Sequence, residues 1–312
     1  MKRNSPSQPI ADKQKKQTLR SIFVEAFQLL ALFFVPQRNR ASAVYELLGA
    51  HNNLAEESLF LNLGYWKEAS TYDDACTALA HEVAEAACFE AGDTVLDCGF
   101  GFGDQDAYWI ENFPIASINA INVSTQQVQI AKARFRDERI RFQEGSATRI
   151  PFPDSTFHKV VALESAFHFD TREAFFREAH RVLKQNGTLT AADVIAGPNT
   201  RGLRGFIMEY LGRAFWQIPK CNMIHAEDYK TQLEAAGFVD VVIRNISNDV
   251  FIPFKEFARA RTDAPEVKRR LHPWLRAMWR APHRGLHVFE YVIVSATKSD
   301  GQPAPSEAAA ED

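Results

Sequence analysis

The sequence predicts an α/β fold in which a largely parallel sheet is covered by helices on both faces. Two observations carry that prediction. Short apolar runs rich in β-branched residues alternate with helical patterns from about Tyr72 to Lys298, which is the order that builds a parallel sheet. One of these runs, Val95-Leu96-Asp97-Cys98, opens directly into Gly99-Phe100-Gly101-Phe102-Gly103. Glycine bends freely and lets a ligand approach without meeting a Cβ, so a strand running through such a turn into a helix is a nucleotide cradle. A length of 312 residues, 46% apolar and 24% charged, is enough for one large core or one core plus a cap.

The elements follow in order. Residues 1–17 are polar and basic, with Lys2, Arg3, Lys13, Lys15 and Lys16 against Asp12, and are expected to be a disordered tail. Residues 18–71 are read as an N-terminal helical cap. Its apolar run 22–35 is short for a membrane span and carries Glu25 and Gln28. A helix covering the substrate and a helix lying on a membrane surface both fit it, and with the basic start it also imitates a signal peptide. Residues 72–91 repeat Ala75, Leu79, Val83 and Ala87 at helical spacing. Strands are expected at 94–98, 115–123, 140–143, 160–164, 188–195, 239–245 and 288–297. Helices are expected at 106–111, 125–136, 172–183 and 228–236. Two stretches break the alternation, about 197–227 and 250–286, and are read as lid insertions over the carboxyl ends of the strands, where open α/β sheets bind ligands. The second carries nine basic residues against three acidic ones, with Trp274 and Trp279 between them. A solvated helix face, an anionic substrate and an anionic membrane surface all suit it. Residues 299–312 are read as a flexible tail.

Charge and cysteine usage narrow the classes. A net charge of -3 speaks against a general nucleic-acid binder. Cys76, Cys88, Cys98 and Cys221 have neither C-x-x-C pairing nor metal-ligand spacing. Reduced thiols and a cytoplasmic location follow, with no metal expected. The sequence carries no signal of oligomeric state.

The glycine spacing is specific. A dinucleotide fingerprint reads G-x-G-x-x-G, whereas here the third glycine comes one residue early and Asp97 stands two residues before the first. This pattern resembles motif I of the class I S-adenosyl-L-methionine (SAM) methyltransferases. The resemblance covers residues 80–298. It implies a Rossmann-like, doubly wound, seven-stranded sheet whose last strand is antiparallel, inside a SAM-binding domain of residues 72–298. It also implies SAM as cofactor, with Asp97, Gly99, Gly101 and Gly103 on its methionyl side. Most of the superfamily has an acid at the position of Asn122 to grip the ribose. A branch similar to cyclopropane-fatty-acid synthases lacks the acid but keeps a glutamine five residues on, where Gln127 stands. Asn122 and Gln127 are therefore the expected ribose ligands, with helix capping as the plain alternative for Asn122. Glu144-Gly145-Ser146-Ala147 and Ile150-Pro151-Phe152-Pro153 resemble the adenine-clasping G-D-A-x-x-L-P-F segment, which places Ser146 and Ala147 at the base. Arg181-Val182-Leu183-Lys184-Gln185-Asn186-Gly187 resembles a turn that marks the fold.

The stretch Glu164-Ser165-Ala166-Phe167-His168-Phe169 resembles methyltransferases acting on sterols, tocopherols, macrolides, glycosides and lipids. Leu59-Phe60-Leu61-Asn62-Leu63-Gly64-Tyr65-Trp66 resembles the N-x-G-Y-W/Y entry segment of the same natural-product group, which folds over SAM and lines the pocket. The acceptor is then a hydrophobic small molecule of lipid, polyketide or terpenoid type. Methylating a hydroxyl needs a base. In related glycoside and macrolide enzymes a histidine after strand four pairs with an aspartate at the end of strand five, matching His168 and Asp193. The plain alternatives are a stacked or capping histidine and a structural aspartate. Methylating an alkene instead makes a carbocation, for which Glu164 would supply charge and Tyr45, Tyr65, Trp66, Phe167, Phe169, Tyr210, Phe215 and Trp216 the aromatic faces. Such an enzyme would take a prenyl chain or prenyl diphosphate. Glu164 bound to loop amides or to the SAM ammonium is the alternative there. Two further rivals are a SAM-binding pseudoenzyme and a NAD-linked dehydrogenase, which would want the other glycine spacing.

Overall fold

The computed structural model describes residues 58–198, 205, 207, 209, 210, 212, 213, 216–265 and 288–299. The tails, the apolar run 22–35, Tyr45 and Phe215 lie outside the described residues. Helix α1 (Tyr72–Ala87) starts where the Thr71 side chain accepts a hydrogen bond from the Asp74 amide, and it buries Ala75, Leu79, Val83 and Ala87. It ends sooner than its apolar pattern suggests because Cys88 turns left-handed, φ 51°, and its amide folds back on Ala84 and Glu85. There follow β1 (Thr94–Cys98), α2 (Asp104–Asn112), β2 (Ser117–Asn122), α3 (Thr125–Arg134), β3 (Ile140–Glu144), β4 (Phe157–Leu163), α4 (Arg172–Val182), β5 (Leu183–Ala196), α5 (Ala226–Ala235), β6 (Phe238–Asn245), α6 (Ser247–Arg261) and β7 (Phe289–Lys298).

The seven strands form one sheet in the order β3-β2-β1-β4-β5-β7-β6. Neighbours from β3 to β5 pair in parallel, and β7 runs antiparallel to both β5 and β6. The seven-stranded sheet with its last strand reversed is thus present. β1 and β4 are buried almost throughout, as expected of strands with helices on both faces. Strand order reverses between β1 and β4, which opens a crevice at their carboxyl ends.

Two elements depart from expectation. β5 begins at Leu183, directly after α4, with no separate turn; Asn186 takes a left-handed conformation within it, and pairing with β4 shifts register between Phe157 and Lys159. The start of the supposed 250–286 insertion is the core-packed helix α6. Its Phe254 and Phe257 rings lie 5.9 and 5.1 Å from Tyr72, and Phe257 lies 5.1 Å from Trp66. Pro253 inside α6 has no amide to give Asp249 four residues back. The Trp66 amide donates to that carbonyl instead, at 2.8 Å. Segment 59–66 is therefore stitched to α6 through the one carbonyl that a proline releases. Among the described residues, no helix is long and apolar enough to cross a membrane.

Candidate active site

A cavity of about 360 Å³ opens where strand order reverses, at the small end of ligand pockets, which run from roughly 300 to 1,000 Å³. Gly99 and Gly101 form its floor. Gly99 holds φ 95°, and a Cβ there would stand 2.4 Å from the Ser165 Cβ. Ser165 is pressed on this turn by its hydroxyl, which donates to the Cys98 carbonyl at 2.6 Å. At Gly101 a Cβ would meet only Leu61 Cδ1, at 3.5 Å, so bulk there would grow into the cavity. Gly103 and Asp97 do not border it. Gly103 sits against Phe142, whose ring a Cβ would strike at 2.8 Å, so it serves helix–sheet packing.

Asp97 is fully buried and reaches the cavity through Gln105, whose Nε2 donates to Asp97 Oδ2 at 2.7 Å. Burial pushes the Asp97 carboxyl up to about 7, with the Gln105 hydrogen bond opposing. Asp106, equally buried, is pushed well up by burial and then by the charge on Asp97. The Asp106 side chain in turn opposes the rise of Asp97 through a hydrogen bond between the two.

Asn122 and Gln127 meet at the cavity wall. Asn122 Nδ2 donates to Gln127 Oε1 at 2.9 Å, and the Ser124 amide donates to Asn122 Oδ1 at 3.0 Å. Gln127 Nε2 is buried with no partner, a donor for a ligand oxygen. Ser146 and Ala147 border the same space; the Ser146 hydroxyl bonds to Thr148 Oγ1 at 3.0 Å. The glycine floor and the orphaned amide fit an adenosyl ligand.

The loop after β4 forms the opposite wall. Glu164 takes φ 49°, a strained conformation for a residue with a side chain, yet it is held at three points. Its amide donates to the Ala192 carbonyl at 2.8 Å. Its Oε1 accepts from the Leu63 amide at 2.6 Å and from the Tyr291 hydroxyl at 2.7 Å. Burial raises this carboxyl to about 7, and the two hydrogen bonds oppose that rise. His168 borders the cavity and lies tilted against Phe167, with ring centroids 4.2 Å apart and planes at 46°. Burial lowers it to about 4, against a hydrogen bond to the Gln217 backbone that favours the protonated ring.

Asp193 does not border the cavity, and its oxygens are taken elsewhere. They contact Arg172 Nε at 2.9 Å and Nη2 at 3.3 Å, and accept from the Tyr229 hydroxyl at 3.0 Å and the Val194 amide at 2.9 Å. Arg172 and Asp193 are both fully buried, and a buried carboxylate takes a buried cation as its partner. Of the expected aromatic positions, Phe169 borders the cavity, while Tyr65, Trp66, Phe167, Tyr210 and Trp216 do not. Gly64 explains Tyr65 and Trp66. At φ 77° it reverses the chain against Ala75, leaving Leu59–Asn62 on the cavity and turning Tyr65 and Trp66 toward α1 and α6. Phe167 is a core residue, and Tyr210 is exposed beside Arg213. Asn62, the first residue of the N-x-G-Y-W segment, borders the cavity, and Gln105 does so without having been singled out. Gln105 carried a signal, standing two residues past the last glycine of the motif. Tyr291 carried none, for it reads as an ordinary strand residue. Among the described residues, no group of three or more His, Cys, Asp or Glu side chains stands together as a metal site.

This sheet order, with a glycine turn and a paired amide at the reversal, defines an α/β protein built for a nucleoside-bearing ligand. Residues 96–191 match the family described as Methyltransferase domain. The chain is 37% identical over 228 residues to erythromycin 3''-O-methyltransferase of Saccharopolyspora erythraea, covering 70% of this chain and 74% of that one. It is 28% identical over 257 residues to 27-O-demethylrifamycin SV methyltransferase of Amycolatopsis mediterranei, covering 77% and 90%. Among solved structures, the [4+2]-cyclase SpnF superposes with TM-score 0.69 at 25% identity, covering 86% of this chain and 98% of that one. The chain belongs to the class I SAM-dependent methyltransferases, in their small-molecule branch. It is an enzyme whose cofactor is SAM.

Proposed function

We propose that this enzyme methylates a hydroxyl oxygen of a polyketide or macrolide acceptor in natural-product biosynthesis, with His168 as the general base. The observation that carries this is the place of His168 on the cavity wall, on the loop after β4 beside Glu164 and Ser165. Burial lowers the ring to about 4, which keeps it neutral at pH 7 while weakening it as a proton acceptor. The effect of the Gln217 backbone has the direction expected of a carbonyl acceptor, which fixes one ring nitrogen as N–H and leaves the lone pair on the other. That assigns to Gln217 the tautomer-setting part expected of Asp193. Gly99, Gly101, Asn122, Gln127, Ser146 and Ala147 would hold the cofactor, with Asp97 acting through Gln105. Bound SAM supplies a methyl group already activated by a sulfonium. The chain's own work is to place the acceptor oxygen, take its proton on His168 and keep water out. The similarity to relatives named for erythromycin and rifamycin acceptors supports that acceptor class.

Carbon methylation fits less well. It needs a fixed negative charge, and a Glu164 carboxyl raised to about 7 is half protonated near neutrality. A cytoplasmic location belongs to the same proposal, since the buried thiols Cys76 and Cys98 are free. The test uses labelled SAM with 27-O-demethylrifamycin SV and 3''-O-demethylated erythromycin as acceptors. His168→Ala should lose about a hundredfold in kcat, and Glu164→Gln less. The wild-type rate should be flat from pH 6 to 8 and fall as pH drops toward 4, where the base is protonated. A larger loss in Glu164→Gln than in His168→Ala, with by-products of a trapped cation, would instead establish carbon chemistry.

A further inference from the structure

His168 ends a single 3-10 turn, Ala166–His168, which by itself is too short to fix an imidazole. Asn222, nearly fully buried, reaches the main chain on either side of His168. Its Nδ2 donates to the Phe167 carbonyl at 3.1 Å and to the Phe169 carbonyl at 2.7 Å, the two carbonyls flanking His168. Asn222 is anchored in turn. Its Oδ1 accepts from the Arg172 amide at 2.9 Å and its carbonyl from Arg172 Nη1 at 2.5 Å. The guanidinium lies 4.9 Å from the Tyr229 ring centre, contacts both Asp193 oxygens, and donates from Nη2 to the Val194 carbonyl at 3.1 Å. Both terminal nitrogens of this planar fork have hydrogen-bond acceptors, while Nε stands 2.9 Å from Asp193 Oδ2 as an ion-pair contact, an arrangement that a lysine would not reproduce.

We propose that Asn222, locked by the Arg172–Asp193 ion pair, is a positioning residue that clamps the backbone on either side of His168. The catalytic consequence rests on His168 being the base. Exchanging a buried ion pair for apolar residues is often neutral or favourable, so stability alone gives this one little reason to exist. Geometry gives it one: it ties the end of β5 to the loop after β4. Segment 217–222 then grips His168 twice, with the Gln217 backbone on the ring and Asn222 on the main chain. Asp193 serves the histidine through two intermediaries, without touching the ring in the way a His–Asp pair would.

The test is a histidine-ring NMR titration of the full chain, with the His168 signal among the nine histidines assigned from its loss in His168→Ala. In Asn222→Ala the loosened loop lets water reach the ring, so its pKa should rise by about one unit or more toward 6.5. Arg172→Lys, which keeps the charge but loses the fork, should move it in the same direction by less. A control of comparable destabilisation, Phe238→Leu at the start of β6, should leave it in place. An unmoved signal in Asn222→Ala, or an equal shift in the control, would overturn the proposal. If Asn222→Ala does not fold, Arg172→Lys carries the same two outcomes. Turnover separates this idea from the one beneath it. Asn222→Ala should slow the wild type yet add nothing to the loss in His168→Ala; the same factor in both backgrounds overturns the clamp. Full activity of His168→Ala alongside the NMR shift would instead sink the base assignment and leave the clamp as a loop device.

Discussion

Asn122 faces the cavity with an amide where related enzymes present a carboxylate, and it is already bonded to Gln127. The pair behaves as one unit: Asn122 orients Gln127, and the buried Nε2 of Gln127 is left for the ligand. Asn122→Ala and Gln127→Ala should each weaken SAM binding by about tenfold, the worth of one net hydrogen bond. Asn122→Asp should bind normally, with the Gln127 amide turned over so that it donates to the new carboxylate. Calorimetric titration with SAM measures all three; normal affinity in both alanine variants would place the ribose elsewhere. This pair was legible in the sequence because both residues fall within one strand–helix junction. The partner of Asp193 was not. Arg172 and Asp193 meet across the fold, and neither periodicity nor local spacing marks a contact between the start of a helix and the end of the next strand.

Segment 59–66 is held by short-range chemistry at several points. The Leu59 amide donates to Asp104 at 3.2 Å, Leu63 to Glu164, Tyr65 to the Ala75 carbonyl at 2.8 Å, and Trp66 to the carbonyl freed by Pro253. The reversal at Gly64 decides which side chains face the cavity. A methyl group there would stand 2.7 Å from the Ala75 Cβ at a φ that side chains resist. Gly64→Ala should therefore cost about 1–3 kcal/mol in chemical denaturation and weaken SAM binding, because Leu61 shifts off Gly101. Unchanged stability and affinity would show that the segment is held without the reversal. The sequence placed this segment over the cofactor but assigned the covering to Tyr65 and Trp66, since a glycine's handedness is set by the packing around it. Helix α6 stayed hidden for a related reason. A mid-helix proline and a basic run read as an insertion, and only the fold reveals that the spare carbonyl has a donor waiting.

Across the whole molecule, the alternation of strands and helices was readable because it is a property of the chain itself, and the reversed last strand was implied by the family resemblance; the strand order emerged only in the fold. The burial of charge was not readable either, and it governs how stability varies with pH. Asp97 and Glu164 are raised to about 7, so the folded state holds protons that the unfolded chain has already released. Their contribution is full below about pH 4 and is lost as pH rises through 7. His168, lowered to about 4, acts oppositely: its contribution is present above 6.5 and is lost as pH falls through 4. Glu164→Gln keeps an acceptor for Leu63 and Tyr291 without the buried charge. Its melting temperature should exceed that of the wild type by more at pH 8 than at pH 5, reflecting up to about 3 kcal/mol. Equal differences at both pH values would mean that Glu164 stays ionised throughout. The same carboxylate also sets an order of events during synthesis. One oxygen of Glu164 joins Leu63, 101 residues before it, to Tyr291, 127 residues after it. While a ribosome is still translating β7, Leu59, Leu63 and Tyr65 can already meet Asp104, Glu164 and Ala75, but the Glu164 carboxylate lacks its second donor. A growing chain therefore carries this latch half made until β7 slots between β5 and β6.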